Sequence, residues 1–330
     1  MINKYINNNI LEKRDAIFHH AKAYLKDCQP WPTHFELRKI EYDLLNSFIP
    51  IKTGQVILDI GCGNAFVAAL SSVGAKLVVG CDLPSVDKTT HSIGMGKALK
   101  LIKSLQIPNI ALVSSTAASL PLKANSIDFV ITLYTLEHIA DRGTVIKEIA
   151  RVLKTNGMCI FVVPNFMERF YSVIPYYFNM IITVIQFFKK YLRLSLSIKK
   201  HNSYNRAQSH ISSFDDELKI PLRQKMAGFL QKKMFFPMPH GEYNSWLDEL
   251  LTHLPNNWKH LLSRNRLNPI AIFSTIIIPL PLLQLFSPQF AAWFYEKSSA
   301  ITRTIGGMPI IRSLGFNIVF AMQKSHKTIH

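Results

Sequence analysis

The sequence predicts an α/β fold in which a parallel sheet is covered by helices on both faces. Two observations carry that prediction. From about residue 51 to residue 165, short apolar runs of β type alternate with helical stretches every 25 or so residues. That is the pattern of strands buried on both faces and joined by crossover helices. In addition, 48% of the 330 residues are hydrophobic and only 18% are charged, where roughly 25% charged is usual. Apolar mass is therefore ample to offset the entropy of ordering one large domain or two, and a disordered chain is excluded.

The elements follow in order. Residues 1–50 read as a helical segment, with mixed apolar spacing through 16–25 and 35–48. Residues 56–60 (VILDI) form the first β-type run, followed by a glycine-rich turn and a helix from Asn64. A second run spans 76–81 (KLVVGC), 91–105 is helical, and 110–114 is a third, weaker strand. The fourth strand is 127–133 (IDFVITL), a helix covers 141–153, and the fifth strand is 158–163 (MCIFVV). Further on, 212–226 is helical by pattern, with Ser212, Ser213, Asp215 and Asp216 as cap and dipole partners. Strands are expected at 229–236 and at 315–323 (GFNIVFAMQ). The domain reading is 1–50 helical, 51–165 the ligand-binding core, and 166–330 the rest of the sheet with apolar and basic insertions.

Charge is uneven. Lys and Arg total 38 against 21 Asp and Glu, a net of +17. Up to Pro164 the balance is 18 basic to 13 acidic, and from Asn165 it is 20 to 8. A basic surface seeks anions, nucleic acid or anionic lipid. Here the charge accompanies long apolar runs, which favours the lipid surface. The four cysteines form no Cys-x-x-Cys pair and no His cluster has metal-ligand spacing, so no metal is expected. Cys81 and Cys159 lie in strand-like runs, where a free thiol behaves as a small hydrophobe. The start MINKYINNNI has no apolar stretch after a basic one, so the expected location is cytoplasmic, peripheral at the inner face of the membrane.

The informative stretch is VILDIGCGNA, residues 56–65. Gly61 and Gly63 let the chain turn sharply out of the strand, and the helix then presents its N-terminus to a ligand. Asp82, 21 residues after Gly61, ends the next strand, where an acid holds ribose hydroxyls. A nicotinamide site would want Gly or Ala where Phe66 stands. Asp59, just before the first glycine, suits a cationic ligand better than a diphosphate. Together these point to an adenosyl ligand with a positive amino-acid end, S-adenosyl-L-methionine.

Here the sequence resembles the class I S-adenosylmethionine-dependent methyltransferases, most closely the type 11 group that includes quinone-biosynthesis methyltransferases. The likeness covers residues 52–164 in four ordered blocks: VILDIGCGNA, VVGCDL, SLPLKANSIDFVITLYTLEHIAD and EIARVLKTNGMCIFVVPN. It implies a Rossmann-like, doubly wound, seven-stranded sheet, mostly parallel with the last strand antiparallel. It further implies that Asp59, Gly61, Cys62 and Gly63 line the methionine end of the cofactor. Asp82 would hold both ribose hydroxyls, with Leu83, Thr116 and Ala117 at the adenine. Leu133 and Tyr134 would flank the methionine portion near the transferred methyl. Thr116 departs from the usual acid, and Thr155-Asn156-Gly157 from a Pro-Gly-Gly turn, which Asn preserves because it tolerates positive φ.

Glu137 and His138 form a candidate acid/base pair, with His138 the candidate catalytic residue and a loop-holding structural role its competing reading. Methyl transfer from a sulfonium is an in-line displacement with an activated donor, so the protein supplies mainly alignment and exclusion of water.

Two uncharged runs remain, 170–188 and 267–295. By length each is a transmembrane candidate. A crossing at 170–188, however, would leave the strand expected at 229–236 on the far side of the bilayer from the first five. It would also place Lys189, Lys190, Arg193, Lys199, Lys200 and Arg206 outside, against the positive-inside tendency. Interfacial helices, or a shallow hairpin bent at Pro279-Leu280-Pro281, are expected instead, with buried core or a dimer contact as the competing reading. Both runs leave the carboxyl edge of the sheet, where ligands bind. The expectation is a methyltransferase for a small, lipophilic or membrane-associated acceptor. A soluble-metabolite methyltransferase and a non-catalytic, cofactor-binding scaffold at a membrane are the alternatives. No nucleic-acid partner is expected, because Leu133-Tyr134-Thr135-Leu136 stands where an amino-methylating enzyme would grip a base.

Overall fold

The computed structural model describes residues 2–26, 33–83, 95–204, 243, 245–276 and 287–325. Seven strands form one sheet: β1 Val56–Ile60, β2 Leu77–Asp82, β3 Ile110–Ser114, β4 Ile127–Leu133, β5 Leu153–Pro164, β6 Leu267–Phe273 and β7 Asn317–Lys324. Their order is β3-β2-β1-β4-β5-β7-β6. The first five are parallel, and β7 runs antiparallel between β5 and β6. The sheet is thus doubly wound, and its order reverses between β1 and β4, where crossovers leave on opposite faces and a crevice opens.

Helices cover it: α1 Ile2–Tyr24, α2 His34–Phe48, α3 Phe66–Ser72, α4 Met95–Leu105, α5 Arg142–Val152, α6 Phe166–Tyr204, α7 Trp246–Thr252, α8 Pro255–Ser263, α9 Pro288–Ile305 and α10 Pro309–Leu314. One face of the sheet buries Leu58, Val130 and Phe161 against α5 and α8, through Ile146, Ile149 and Leu262. The other buries Ile57, Phe129 and Ile160 with Leu45 and Phe273. The alternation along each strand sends successive residues to opposite cores. Phe66 turns into the N-terminal helices, edge-on to Phe35 at 4.9 Å, so α1 and α2 pack onto α3 through Ile17, Ala21 and Phe35.

Strand β5 begins earlier than the apolar run implies. Leu153 already pairs with Ile127, and Asn156 at φ 61° carries the bulge that restores register by Met158.

The second half departs from expectation more. The predicted strand at 229–236 and helix at 212–226 lie outside the described residues. The strand beside β7 is β6, which lies inside the run read as an apolar insertion. Pro269 lies within β6, which is at the sheet edge, and the register shifts between Pro269 and Ala271. An edge bulge needs no donor from proline. The same run later becomes α9, capped by Ser287 and burying Ala291 and Tyr295 against Leu37 and Ile40 of α2. Much of 267–295 is therefore sheet and helix packed on the core, not a membrane hairpin. Pro279-Leu280-Pro281 lies outside the described residues. The run 170–188 belongs to α6, and no helix among the described residues is long and apolar enough to cross a membrane.

Candidate active site

The carboxyl ends of β1, β2 and β4 bring the motif residues together. The turn after β1 rests on β2: the Gly61 and Cys62 amides donate to the Cys81 carbonyl at 2.8 and 3.1 Å. Gly61 sits at φ 72°, and a Cβ there would lie 2.1 Å from Thr135 Oγ1. Only glycine fits under the loop that leaves β4. Gly63, at φ 54°, has nothing within 4 Å of a Cβ, so its α-carbon faces open space.

Asp82 ties the two loops. Its Oδ2 accepts from the Gly63 amide and its Oδ1 from the Leu83 amide, both at 2.7 Å. Its remaining lone pairs can take hydroxyl donors. Leu83 is 55% exposed beside it. Asp59 is only 2% exposed and its Oδ2 has no hydrogen-bond partner among the described residues. Burial, then the neighbouring Asp82 charge, pushes its carboxyl up to about 7. A buried carboxylate oxygen left without a partner is a group that a ligand ammonium would satisfy. Across the edge, Thr116 is exposed and uses Oγ1 to accept from the Ala118 amide at 3.3 Å, while Ala117 packs against the core.

Beyond β4 the chain lines a second space. A cavity of about 460 Å³ lies between α2, the loop after β4, the start of α6, the end of β6 and α9. Its apolar wall is Leu37, Ile40, Leu44, Ile276, Tyr295 and Phe316. Leu133 ends β4 half-buried, whereas Tyr134, at φ 53°, turns its ring into this cavity. The Tyr134 hydroxyl donates to Glu41 Oε1 at 2.8 Å and the Arg38 guanidinium lies 4.2 Å over its ring. Asn317 completes the knot: Nδ2 donates to Glu41 at 2.9 Å, and Oδ1 accepts from the Thr275 and Ile276 amides at 3.1 Å. Burial, then Glu41, holds the Tyr134 phenol well above its ordinary range, so it stays a neutral donor.

Glu137 and His138 sit in a single 3₁₀ turn, Leu136–His138. Glu137 is 4% exposed and its Oε2 has no hydrogen-bond partner among the described residues. Burial raises its carboxyl to about 8, against the opposing pull of its own amide and of Arg38. The His138 side chain is 52% exposed, with Nε2 3.9 Å from Glu137 Oε1. Opposite, Arg169 pairs with Glu168 at 2.6 Å and Glu249 at 3.1 Å. Arg38, Glu41, Arg169, Glu249, Thr275 and Asn317 were invisible to sequence reading, because they converge from helices and strands with no motif of their own.

Residues 58–161 match the model of a methyltransferase domain. They carry an S-adenosylmethionine-dependent methyltransferase domain of the class I, type 11 group. Its cofactor is S-adenosyl-L-methionine. The chain is 29% identical over 204 residues to the demethylmenaquinone methyltransferase of Staphylococcus haemolyticus, covering 61% of this chain and 79% of that one. It is 29% identical over 145 residues to the same-named protein of Bacillus cereus, covering 38% of this chain but only 58% of that one. Among solved structures, the (4+2)-cyclase SpnF superposes with a TM-score of 0.50 at 13% identity, over 89% of this chain and 83% of that one. That likeness speaks to the fold. The matched residues include Asp59, the glycine turn and Asp82, and also Tyr134, Glu137 and His138 of the cavity.

Proposed function

We propose that the enzyme methylates a small lipophilic acceptor that it takes from an anionic membrane surface. The observation that carries this reading is α6. It starts in the cavity wall, where Glu168 and Arg169 stand, and runs on for 39 residues. Phe170, Ile174, Phe178, Ile181, Ile185 and Phe188 are exposed along it at steps of three and four, which is one helical face. Lys189, Lys190, Arg193, Lys199 and Lys200 follow in the same helix, with no acid among them. An apolar stripe ending in bases suits an interfacial helix on anionic lipid, and it leads to a cavity with an apolar wall. The named activity of the curated relatives, on demethylmenaquinone, is consistent with such an acceptor.

In this reading Asp59 meets the ammonium of the cofactor, Gly61 and Gly63 line its methionine end, and Gly61 and Cys62 offer it backbone groups. Asp82 holds the ribose hydroxyls. Leu83, Thr116 and Ala117 border the adenine, while Leu133 and Tyr134 flank the site of transfer. His138 stands at the solvent rim of the acceptor cavity. The cofactor supplies an activated methyl group. The chain's residues align the acceptor and exclude water, which is the larger part of such catalysis.

The test has two arms. Labelled S-adenosylmethionine is incubated with a host-cell extract that is then split into organic and aqueous phases, with Asp82→Ala as control. Label in the organic phase with the intact protein alone is expected, and aqueous label alone overturns the lipophilic acceptor. Co-sedimentation with phosphatidylglycerol vesicles at low salt tests the surface. Phe178→Glu with Ile181→Glu is expected to weaken binding by about 100-fold or more, since each buried apolar side chain is worth about 1.5–3 kcal/mol.

A further inference from the structure

We propose that Glu137 accepts a proton from the acceptor during methyl transfer, so that the acceptor is a hydroxyl or an acidic carbon. A tertiary amine ready to be quaternised would need no such group. This deepens the reading above and rests on it.

Four buried or half-buried carboxylates line the cavity, and three are engaged. Glu41 accepts from Tyr134, Thr275 and Asn317 and pairs with Arg38. Glu168 and Glu249 both pair with Arg169. Glu137 differs: it is buried, it lines the cavity, and its Oε2 has no partner among the described residues. An unmade hydrogen bond at a buried carboxyl is costly and calls for a ligand or a chemical role. The groups facing it are Arg38 of α2, Arg142 of α5, Glu168 of α6, Glu249 of α7, Tyr243 and the adjacent His138. Its place is also apt. It lies two residues beyond Thr135, whose side chain closes over Gly61 of the cofactor turn.

The step balances without another reactant. The O–H or C–H bond of the acceptor breaks and the proton goes to the Glu137 carboxylate. The freed electron pair bonds to the methyl carbon, and the carbon–sulfur bond breaks with its pair left on sulfur, giving S-adenosylhomocysteine. The proton then leaves to water at the cavity rim, where the half-exposed His138 places Nε2 3.9 Å from Glu137 Oε1, a gap that one water can bridge.

The probe is a prenylated 1,4-naphthohydroquinone in detergent micelles under reductant, with the full chain. For the intact enzyme the rate is expected to rise with pH through about 8. Glu137→Gln is expected to keep cofactor affinity within about threefold by calorimetry, to lose about 100-fold or more in rate, and to lose that pH limb. A Gln variant that folds and turns over within about threefold of the intact enzyme overturns the proposal. If Glu137→Gln does not fold, Glu137→Asp, which retracts the acid, replaces it with an expected loss of about tenfold or more. If the intact enzyme methylates neither the probe nor any lipid of the extract, the acceptor reading has failed by itself, and infrared titration decides the role of Glu137. A protonated-carboxyl band present at about pH 6, gone by about pH 9 and missing in the Gln variant sustains it. Absence of that band at about pH 6 overturns it.

Discussion

Replacing each of the two motif glycines by alanine separates a folding requirement from a ligand requirement. Gly61 and Gly63 both have positive φ, 72° and 54°, and an alanine held there costs about 1 kcal/mol. They differ in what a Cβ would meet. At Gly61 it would lie 2.1, 2.5 and 2.8 Å from Oγ1, Cγ2 and Cβ of Thr135. Rotating Thr135 moves the first two atoms but not its Cβ, so the loop itself must shift. Overpacking of this kind costs a further 1–3 kcal/mol or so. Gly61→Ala should therefore destabilise by about 2–4 kcal/mol, and Gly63→Ala, with nothing within 4 Å, by only about 1 kcal/mol. Cofactor binding should respond to both, because a methyl at Gly63 projects into the open space of the cradle. Urea unfolding gives the first quantity and calorimetry with S-adenosylmethionine the second. Thr135→Ala, which removes Oγ1 and Cγ2, should recover part of the Gly61→Ala loss. Equal destabilisation by the two glycine substitutions, or no coupling between Gly61→Ala and Thr135→Ala, would refute the steric argument.

Asn317→Ala should cost about 3 kcal/mol in urea unfolding, because it leaves Glu41 and the Thr275 and Ile276 amides short of partners in a buried place. Asp59 predicts a pH effect of definite sign. Its folded carboxyl, near 7, is above the unfolded value, so its contribution is most favourable below about pH 4 and is lost as pH rises to about 7. Asp59→Asn should flatten that part of the stability profile by at most about 1.4 kcal/mol per pH unit, read by thermal unfolding across buffers. Cofactor affinity of the intact protein should rise over the same interval, as the carboxylate proposed to meet the ammonium ionises. Asp82→Ala should weaken cofactor binding by more than tenfold, since it removes an acceptor for ribose and frees the Gly63 and Leu83 amides that order the loops. Calorimetry showing an unchanged Kd would remove Asp82 from the site.

Between residues 51 and 165 the sequence was legible because the information there is local. Alternating apolar runs specify strands buried on both faces, and the two glycines specify a turn no other residue can make cheaply. The spacing from Gly61 to Asp82 then specifies which strand ends meet, and the five strands appear in the predicted order. Even the Thr155-Asn156-Gly157 turn behaves as its chemistry implies, with Asn156 at φ 61°.

The second half was harder because periodicity does not say what an apolar run packs against. Residues 267–295 read as an insertion, since the run is uncharged, its length suits a membrane segment and the last two strands were expected at 229–236 and 315–323. Only pairing with β7 makes Leu267–Phe273 a strand, and an edge position makes Pro269 tolerable there. The acceptor cavity shows the same limit. Glu137 could be singled out beside His138, but not that it would be buried, nor that its Oε2 would lack a partner among the described residues. That follows from α2, α6, α7 and α9 closing around it. The residues proposed to hold the cofactor thus stand in contiguous motifs, whereas the cavity around Glu137 is decided by tertiary packing, because burial and partnership depend on residues brought together from across the chain.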